Sequence, residues 1–461
     1  KGGHLSVEPI KAVVLAAGEG KRMKSRTPKV LHKVCGVEMV QRVLNACPAQ
    51  CSPIVVVGHG KEQVAPFVEK SAAVVEQTEQ KGTGHAVQMA MPYLKDYDGK
   101  TLILAGDMPL LTQQTLQTLI DKTPKGGAAL LSSIAENPTG YGRVLRDDHG
   151  RVVRIVEHKD ATDEERQVKE VNASVYCFDN QALLEGLAQL TCDNAQQEYY
   201  LTDCIGFLVQ AHRPVEAVVT SQEECMGVND RIQLMQAEQY LQTRIKENHM
   251  RNGVTILDPQ QVYIEEQVEI GRDTILYPGV MLKGRTKIGA DCVLMGSSRV
   301  EDSILADGVE LQNSVVVQSE IGNGTTVGPF AYLRPGSKIG SGCKVGDFVE
   351  VKNSNVGDGT KLPHLAYIGD ADIGKACNIA CGTIFVNYDG KIKQRSTVED
   401  HCFIGCNVNL VAPVAVREGA YVAAGTTVTE EVEAGSMAIG RVRAETKPEW
   451  ADKRRKQGKL K

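Results

Sequence analysis

Two places in this 461-residue chain have residue types and spacings that could do chemistry. The first is Leu15-Ala16-Ala17-Gly18-Glu19-Gly20-Lys21-Arg22-Met23, followed shortly by Pro28-Lys29-Val30-Leu31. Glycines in such a turn let backbone N–H groups approach phosphate oxygens, and Arg22 adds a bidentate cationic fork. Lys29 brings a second cation within reach of the same pocket. The turn lacks the Gly-Lys-Ser/Thr ending of a P-loop and the full dinucleotide fingerprint, so alone it is a weak nucleotide signal. The second place is His364, beside Lys361-Leu362-Pro363, with the Lys- and Arg-rich stretch from Asn387 to Ser396 downstream. An imidazole titrates near working pH and suits a general base, although a lone loop histidine is more often solvated surface.

These residues need elements to hold them. Ala12–Ala17, Ile54–Val57 and Thr101–Ala105 are apolar runs, each followed by glycine. Such runs, separated by helix-like stretches, predict buried strands of an α/β sheet covered on both faces. Ligands of such sheets bind at the carboxyl ends of the strands, where these glycines sit. Asp107 ends one of the strands, as a turn former or as a hard oxygen donor. From Asn229 to Met250, Leu234, Ala237, Leu241 and Ile245 recur every three or four residues, predicting an amphipathic helix stopped by Asn252-Gly253.

Beyond Gly253 the period becomes six. Ile264, Ile270, Leu276, Leu282, Ile288, Leu294 and Val300 share one register; Ile321, Val327, Leu333, Ile339, Val345 and Val351 share another; Val398, Ile404, Leu410, Val416, Val422 and Val428 a third. Three hexads make one turn of a triangular coil whose stripe is buried only by stacking on its neighbours. A β-sandwich would instead show turn signals every 8–12 residues without fixed phase. The rhythm breaks around Lys361–His364 and over Asn387–Ser396. Insertions in a solenoid gather on one face, so both are expected to be loops beside a second site.

Composition narrows the classes further. A formal net charge of -5 disfavours a duplex nucleic acid partner. No apolar run approaches the ~20 residues of a membrane span. Thirteen scattered cysteines, an odd number in a chain this long, read as reduced thiols in a cytosol. Lys1-Gly2-Gly3-His4 reads as a processed end.

The stretch from Leu15 through Ser25, Pro28 and Leu31 resembles the sugar-1-phosphate nucleotidyltransferase signature. Gln77, Gln80–Ala86, Ala105–Leu110, Gly140–Arg143, Val156-Glu157, Asn172, Glu198–Asp203 and Gly227–Asn229 follow in order, similar to one branch of it. That branch is the bifunctional N-acetylglucosamine-1-phosphate uridyltransferase/glucosamine-1-phosphate acetyltransferase. In the second half Leu333–Gly336, Val349–Lys352, His364–Asp370, Asn378, Asn387–Gly390 and Lys393 resemble its acetyltransferase part. The resemblance implies an α/β nucleotidyltransferase domain with a Rossmann-like mixed sheet over 10–228 and a linker helix over 229–251. A left-handed parallel β-helix of hexapeptide repeats then covers 252–437, and a tail 438–461. The left hand goes against the usual right-handed crossover.

It further implies synthesis of UDP-N-acetylglucosamine, feeding peptidoglycan and lipopolysaccharide precursors, by acetyl-CoA-dependent acetylation and then Mg²⁺-dependent coupling to UTP with release of pyrophosphate. By the same likeness Asp107 and Asn229 are Mg²⁺ ligands, and Arg22 and Lys29 stabilise the α-phosphoryl group and leaving pyrophosphate. Leu15, Ala17, Gly18, Gln77, Gly82 and Thr83 hold UTP, and Gly142, Glu157, Asn172 and Thr202 hold the N-acetylated sugar. His364 is the base. Arg334, Lys352, Tyr367 and Asn378 take glucosamine-1-phosphate. Lys393 also binds the sugar phosphate and Asn387 and Tyr388 fix the sugar, and these three, with Cys381, Cys406, Ala424 and Arg441, contact acetyl-CoA. A cytoplasmic homotrimer, with each second site shared between adjacent β-helices, is implied as well. The chain departs from the family pattern at Lys21, Lys81, Ser174, Gln197, Cys381 and Cys406; Ser174 and Gln197 stand where glycine is usual and add side chains near the sugar pocket. Rival readings are an enzyme for another hexose-1-phosphate and a non-catalytic platform. The latter predicts loss of charged site residues, yet Arg22, Lys29, Asp107, His364 and Lys393 are all present.

Overall fold

A computed structural model describes residues 10–461, so Lys1-Gly2-Gly3-His4 lies outside the described residues. The chain forms two compact units, divided between residues 244 and 245.

The first unit is built on a nine-stranded mixed sheet. Its strands are β1 (Ile10–Ala16), β2 (Cys51–Val57), β3 (Ala73–Glu76), β4 (Lys100–Ala105), β5 (Ala128–Ile134), β6 (Arg143–Arg146), β7 (Val152–Val156), β8 (Glu170–Asp179) and β9 (Val215–Val219). The main path runs β9-β5-β8-β4-β1-β2-β3, with β6 and β7 attached to β8 as an edge hairpin. Only β8 runs antiparallel between its neighbours β4 and β5; the other pairings of the path are parallel. Alternate residues of the apolar runs feed two cores. Val14, Val55, Val57, Leu102 and Leu104 pack with Val43, Val64 and Leu116 on one face. Val13, Ile54, Val56 and Ile103 pack with Leu183, Leu187 and Leu208 on the other. A strand buried on both faces reads as a continuous apolar run because neither parity meets water. At the carboxyl ends the Gly106 N–H donates to the Leu15 carbonyl at 2.9 Å and the Val228 N–H to that of Asp107 at 2.9 Å. Those bonds pin the ends of β1 and β4 and the approach to Asn229 together.

Helix Arg231–Arg251 begins where the Asp230 carboxylate accepts the Gln233 N–H at 2.8 Å, an N-cap contact. Ala237, Leu241 and Ile245 are its buried stripe, and Gly253, at φ 93°, follows its end.

The second unit is a parallel coil with three faces. Ile270 pairs with Ile288, Leu276 with Leu294 and Leu282 with Val300, a step of 18 residues. Registers change because some coils are shorter: Ile288 pairs with Leu305 and Leu305 with Ile321, steps of 17 and 16. Corners are lined by buried hydroxyls, such as Ser314 donating to the Gln312 carbonyl at 2.6 Å and Thr325 to that of Gly340 at 2.7 Å.

One expectation is corrected. The segment around Lys361–His364 is not a loop. It opens the nine-residue strand β11 (Lys361–Gly369), paired in parallel with β10 (Lys344–Lys352). Leu362 and Ile368 keep the six-residue spacing and lie over Val345 and Val351, one residue short of a full 18-residue coil. Pro363 fits because Gly346 lies opposite; a Cβ there would overlap the Pro363 carbonyl oxygen. The second insertion is real. Ile373 pairs with Val398, a step of 25 residues, and the excess forms a turn closed by a bridge between Tyr388 and Lys393.

Candidate active sites

In the first unit a cleft of about 590 Å³ opens at the carboxyl ends of the strands. The end of β1 and the turn after it bring Leu15, Ala17, Gly18 and Arg22 to it, and the short 3₁₀ turn Lys29–Leu31 brings Lys29. Gln77, Gly82 and Thr83 form one wall and Gly142, Glu157, Asn172 and Thr202 the other, with Asp107 and Asn229 at the base. All fourteen residues expected in this site therefore line one cavity. Gly82 has φ 100°, and a Cβ there would stand 2.7 Å from the Tyr199 carbonyl, so the wall needs glycine. The Gln77 amide donates to the Gly82 carbonyl at 3.2 Å and lies 3.0 Å from Nδ1 of His85, while Gln80 donates to the Ala17 carbonyl at 2.8 Å. The last of these bonds ties the segment around Gln80 to the turn after β1.

The Lys29 ammonium is bonded both to Asp107 Oδ2 and to Asn229 Oδ1, the latter at 3.0 Å. Two hard oxygen donors thus converge on one cation position, and the ammonium marks the place where a small divalent ion could sit. Mg²⁺ ordinarily takes one or two protein oxygens, with phosphates and water completing its shell. Asp107 and Asn229 fit that requirement.

On the wall that carries Gly142, Asn172 and Thr202, burial pushes the Glu157 carboxyl up from its ordinary range, opposed by the Thr202 hydroxyl, which donates at 3.4 Å. Asn172 donates to the Tyr176 hydroxyl at 2.6 Å. Ser174 and Gln197, the positions where glycine was expected, have φ 58° and 54°, in the left-handed region. Ser174 lines the cleft; Gln197 is exposed and does not, which corrects the expectation that both crowd the sugar. Lys21 and Lys81 pair with Glu19 and Glu79 at the surface.

In the second unit His364 Nδ1 stands 2.7 Å from Asp347 Oδ1, one coil below in direct register. The imidazole holds the Asp347 carboxyl below the usual range. Arg334 pairs with Glu350 at 2.7 Å, and Tyr367 lies over Glu350 in the ladder. A Cβ on Gly369 would stand 2.5 Å from the Tyr367 hydroxyl and 2.8 Å from the Asn387 amide, so both side chains pack here only because this residue is glycine. Lys352 reaches Asp370 at 3.0 Å, and Asn387 donates to the same carboxylate. Cys381, Cys406 and Ala424 occupy corresponding places on successive coils, since the Asn407 N–H donates to the Cys381 carbonyl and the Gly425 N–H to that of Cys406, each at 2.8 Å. Arg441 donates to the Ala424 carbonyl at 2.6 Å. Asn378 pairs with Lys361 and with Phe403, and Lys393 stands exposed on the insertion turn. Asp347, Glu350 and Asp370 were not singled out from sequence. Asp347 lies 17 residues before His364, one coil length, which is the signal that would have found it.

All thirteen cysteines are free thiols. Among the described residues no helix is long and apolar enough to cross a membrane.

Residues 12–198 match the MobA-like NTP transferase domain, and residues 318–353 match the bacterial transferase hexapeptide, six repeats. The chain is 49% identical to the bifunctional protein GlmU of Brevibacillus brevis over 457 residues, 98% of this chain and 99% of that one. It is 49% identical over 448 residues to the proteins of that name from Clostridium botulinum and Clostridium acetobutylicum, covering 96% of this chain and 98% of theirs.

Proposed function

The chain belongs to the GlmU family of bifunctional uridyltransferase/acetyltransferases, and from that premise we propose which residues carry its two reactions. Its second unit is the family's left-handed β-helix. The enzyme acetylates glucosamine-1-phosphate with acetyl-CoA, then couples N-acetylglucosamine-1-phosphate to UTP, releasing pyrophosphate, with Mg²⁺ as cofactor.

In the second unit His364 takes the proton from the sugar nitrogen as that nitrogen attacks the thioester carbonyl. The C–N bond forms, the C–S bond breaks, and coenzyme A leaves with a proton on sulfur. Asp347 accepts the hydrogen bond from Nδ1, leaving Nε2 as the basic nitrogen, with the tautomer fixed by its partner. Arg334 and Lys352, with Lys393, hold the phosphate, and Tyr367, Asn378, Asn387 and Tyr388 the sugar. Cys381, Cys406, Ala424 and Arg441 border acetyl-CoA.

In the first unit no protein nucleophile is required, because phosphoryl transfer asks mainly for positioning and charge neutralisation. The sugar phosphate oxygen attacks the α-phosphorus and pyrophosphate departs. Arg22 and Lys29 offset the charge of the phosphates. Asp107 and Asn229 would hold Mg²⁺, which would further neutralise the triphosphate. Gln77 and Gly82 face the base, and Glu157, Asn172 and Thr202 the sugar. The observation that carries this reading is the convergence of Asp107 and Asn229 on one cation position at the base of the cleft.

A cytoplasmic homotrimer is part of the same proposal. Family membership supports it, and so does an exposed corner where Phe330 and Phe348 stack at 5.7 Å. Light scattering giving a monomer would refute it.

The assignment is tested by single substitutions in the full chain. Asp107→Ala is expected to abolish UTP coupling and spare acetylation, and His364→Ala to do the reverse. Loss of both reactions in either variant, with the fold intact, would defeat the two-site assignment.

A further inference from the structure

Asp370 is a buried carboxylate with no place in the chemistry above, and its setting is unusual. It is 7% exposed and has φ 51°, the left-handed conformation that Asp291, Asp302 and Asn353 of the same unit also adopt. Both its backbone and its carboxylate are held. The Asp370 N–H donates to the Lys352 carbonyl at 3.0 Å on the coil below, and its carbonyl accepts the Ser396 N–H at 3.2 Å from the far end of the insertion. Oδ1 accepts from Asn353 at 2.6 Å, Oδ2 from Lys352 at 3.0 Å, and Oδ2 also from the Asn387 amide at the near end of the insertion. Burial opposes the charge on this carboxylate, yet the hydrogen bonds from Asn353, Lys352 and Asn387 hold its pKa below the ordinary range.

A carboxylate so placed joins three things. It fixes the Lys352 ammonium, it fixes the Asn387 amide, and it ties both ends of the inserted turn to the ladder. Gly369, just before it, leaves the space that the Tyr367 hydroxyl and the Asn387 amide both border. Arg395 locks the exit of the turn from outside, gripping Asp372 at 2.6 Å and the Asn353 and Ala371 carbonyls at 2.9 and 3.0 Å.

We propose that Asp370 is the positioning residue of the acetyltransferase site, setting where the Lys352 ammonium and the Asn387 amide stand when glucosamine-1-phosphate arrives. This rests on the reading that Lys352 binds the sugar phosphate. Asp370 itself touches no substrate and acts through these two partners. Without its charge the flexible lysine stem is no longer preorganised, so substrate affinity falls while the His364 chemistry remains.

The test is steady-state acetyl transfer by the full chain carrying Asp370→Asn, Lys352→Met or both, with uridylyl transfer as the internal control. Asp370→Asn is expected to raise KM for glucosamine-1-phosphate about tenfold, with kcat, KM for acetyl-CoA and uridylyl transfer within about threefold of the parent. In the Lys352→Met background the same change is expected to add little, because the partner it acts through is gone. Full additivity of the two changes, or an unchanged KM in Asp370→Asn, would overturn the proposal while leaving the site reading standing. An unchanged KM in Lys352→Met would remove the site reading and the proposal with it. Should Asp370→Asn fail to fold, Asn353→Gly replaces it. Asn353 has φ 46°, which glycine adopts freely, and the change deletes only one bond to the carboxylate. A rise of about threefold in the same KM supports the assignment, and no rise refutes it.

Discussion

At the scale of single residues, the cost of a useful charge is clearest at Glu157. Its carboxyl is pushed up by burial, so the folded protein binds its proton more readily than the unfolded chain does. The sign follows directly: a raised acid pKa removes stability above the folded value and removes none below the unfolded value. Glu157→Gln is therefore expected to unfold at a higher temperature than the parent at pH 8, with the difference vanishing toward pH 4. Its KM for N-acetylglucosamine-1-phosphate should rise about tenfold, the loss of one charged hydrogen-bond acceptor. In the parent, kcat/KM for the sugar phosphate should fall with decreasing pH as Glu157 protonates, and Glu157→Gln should lack that limb. Thermal unfolding and uridylyl-transfer profiles check both, and a less stable glutamine variant at pH 8 would contradict the account. The residues of this cleft were legible in the sequence because phosphate and cation chemistry uses few residue types in tight local order, as at Gly18, Arg22 and Lys29. The supporting carboxylates of the second site were not. Asp347 and Asp370 act across coils, and along the chain an aspartate near glycine reads as a turn.

At the scale of elements, hexad spacing revealed the coil because a buried aliphatic stripe at period six has few alternatives, whereas its length per turn varies by a residue or two. That variation explains the misread segment. Leu362 and Ile368 are six apart, but they follow Val345 and Val351 by 17 rather than 18, so the shift looked like an interruption. What holds the pairing there is small: Gly346 makes room for the carbonyl of Pro363 in the facing strand. Gly346→Ala is expected to force β10 and β11 apart beside the Asp347–His364 pair. Acetyl transfer should fall by about a hundredfold, with a stability loss of about 2–4 kcal/mol, while uridylyl transfer survives. An alanine variant with full acetyltransferase activity would show that this close approach does not position the base. The antiparallel strand β8 was equally hidden, since Val175, Cys177 and Phe178 are as apolar as any parallel strand and direction leaves no mark on burial.

At the scale of the whole molecule, the proposed residues of each reaction come from one unit. The cleft draws only on residues from Leu15 to Gln233, and the second site on residues from Arg334 to Arg441. Neither set supplies a group to the other reaction, so the shared compound, N-acetylglucosamine-1-phosphate, has no need to stay on one chain. An equimolar mixture of the Asp107→Ala and His364→Ala proteins is therefore expected to make UDP-N-acetylglucosamine from glucosamine-1-phosphate, acetyl-CoA, UTP and Mg²⁺. Its steady rate should be about half that of the parent at equal total protein, since half the copies of each site are intact. A lag should precede it while free intermediate accumulates to the uridyltransferase KM, and adding N-acetylglucosamine-1-phosphate at the start should abolish that lag. Release of the intermediate by the parent enzyme, trapped by a large excess of the His364→Ala protein, measures the same property independently. A mixture that stays inactive although each variant retains its own half-reaction would mean the intermediate is handed over within one assembly, and the two units would then have to be treated as a single catalytic device.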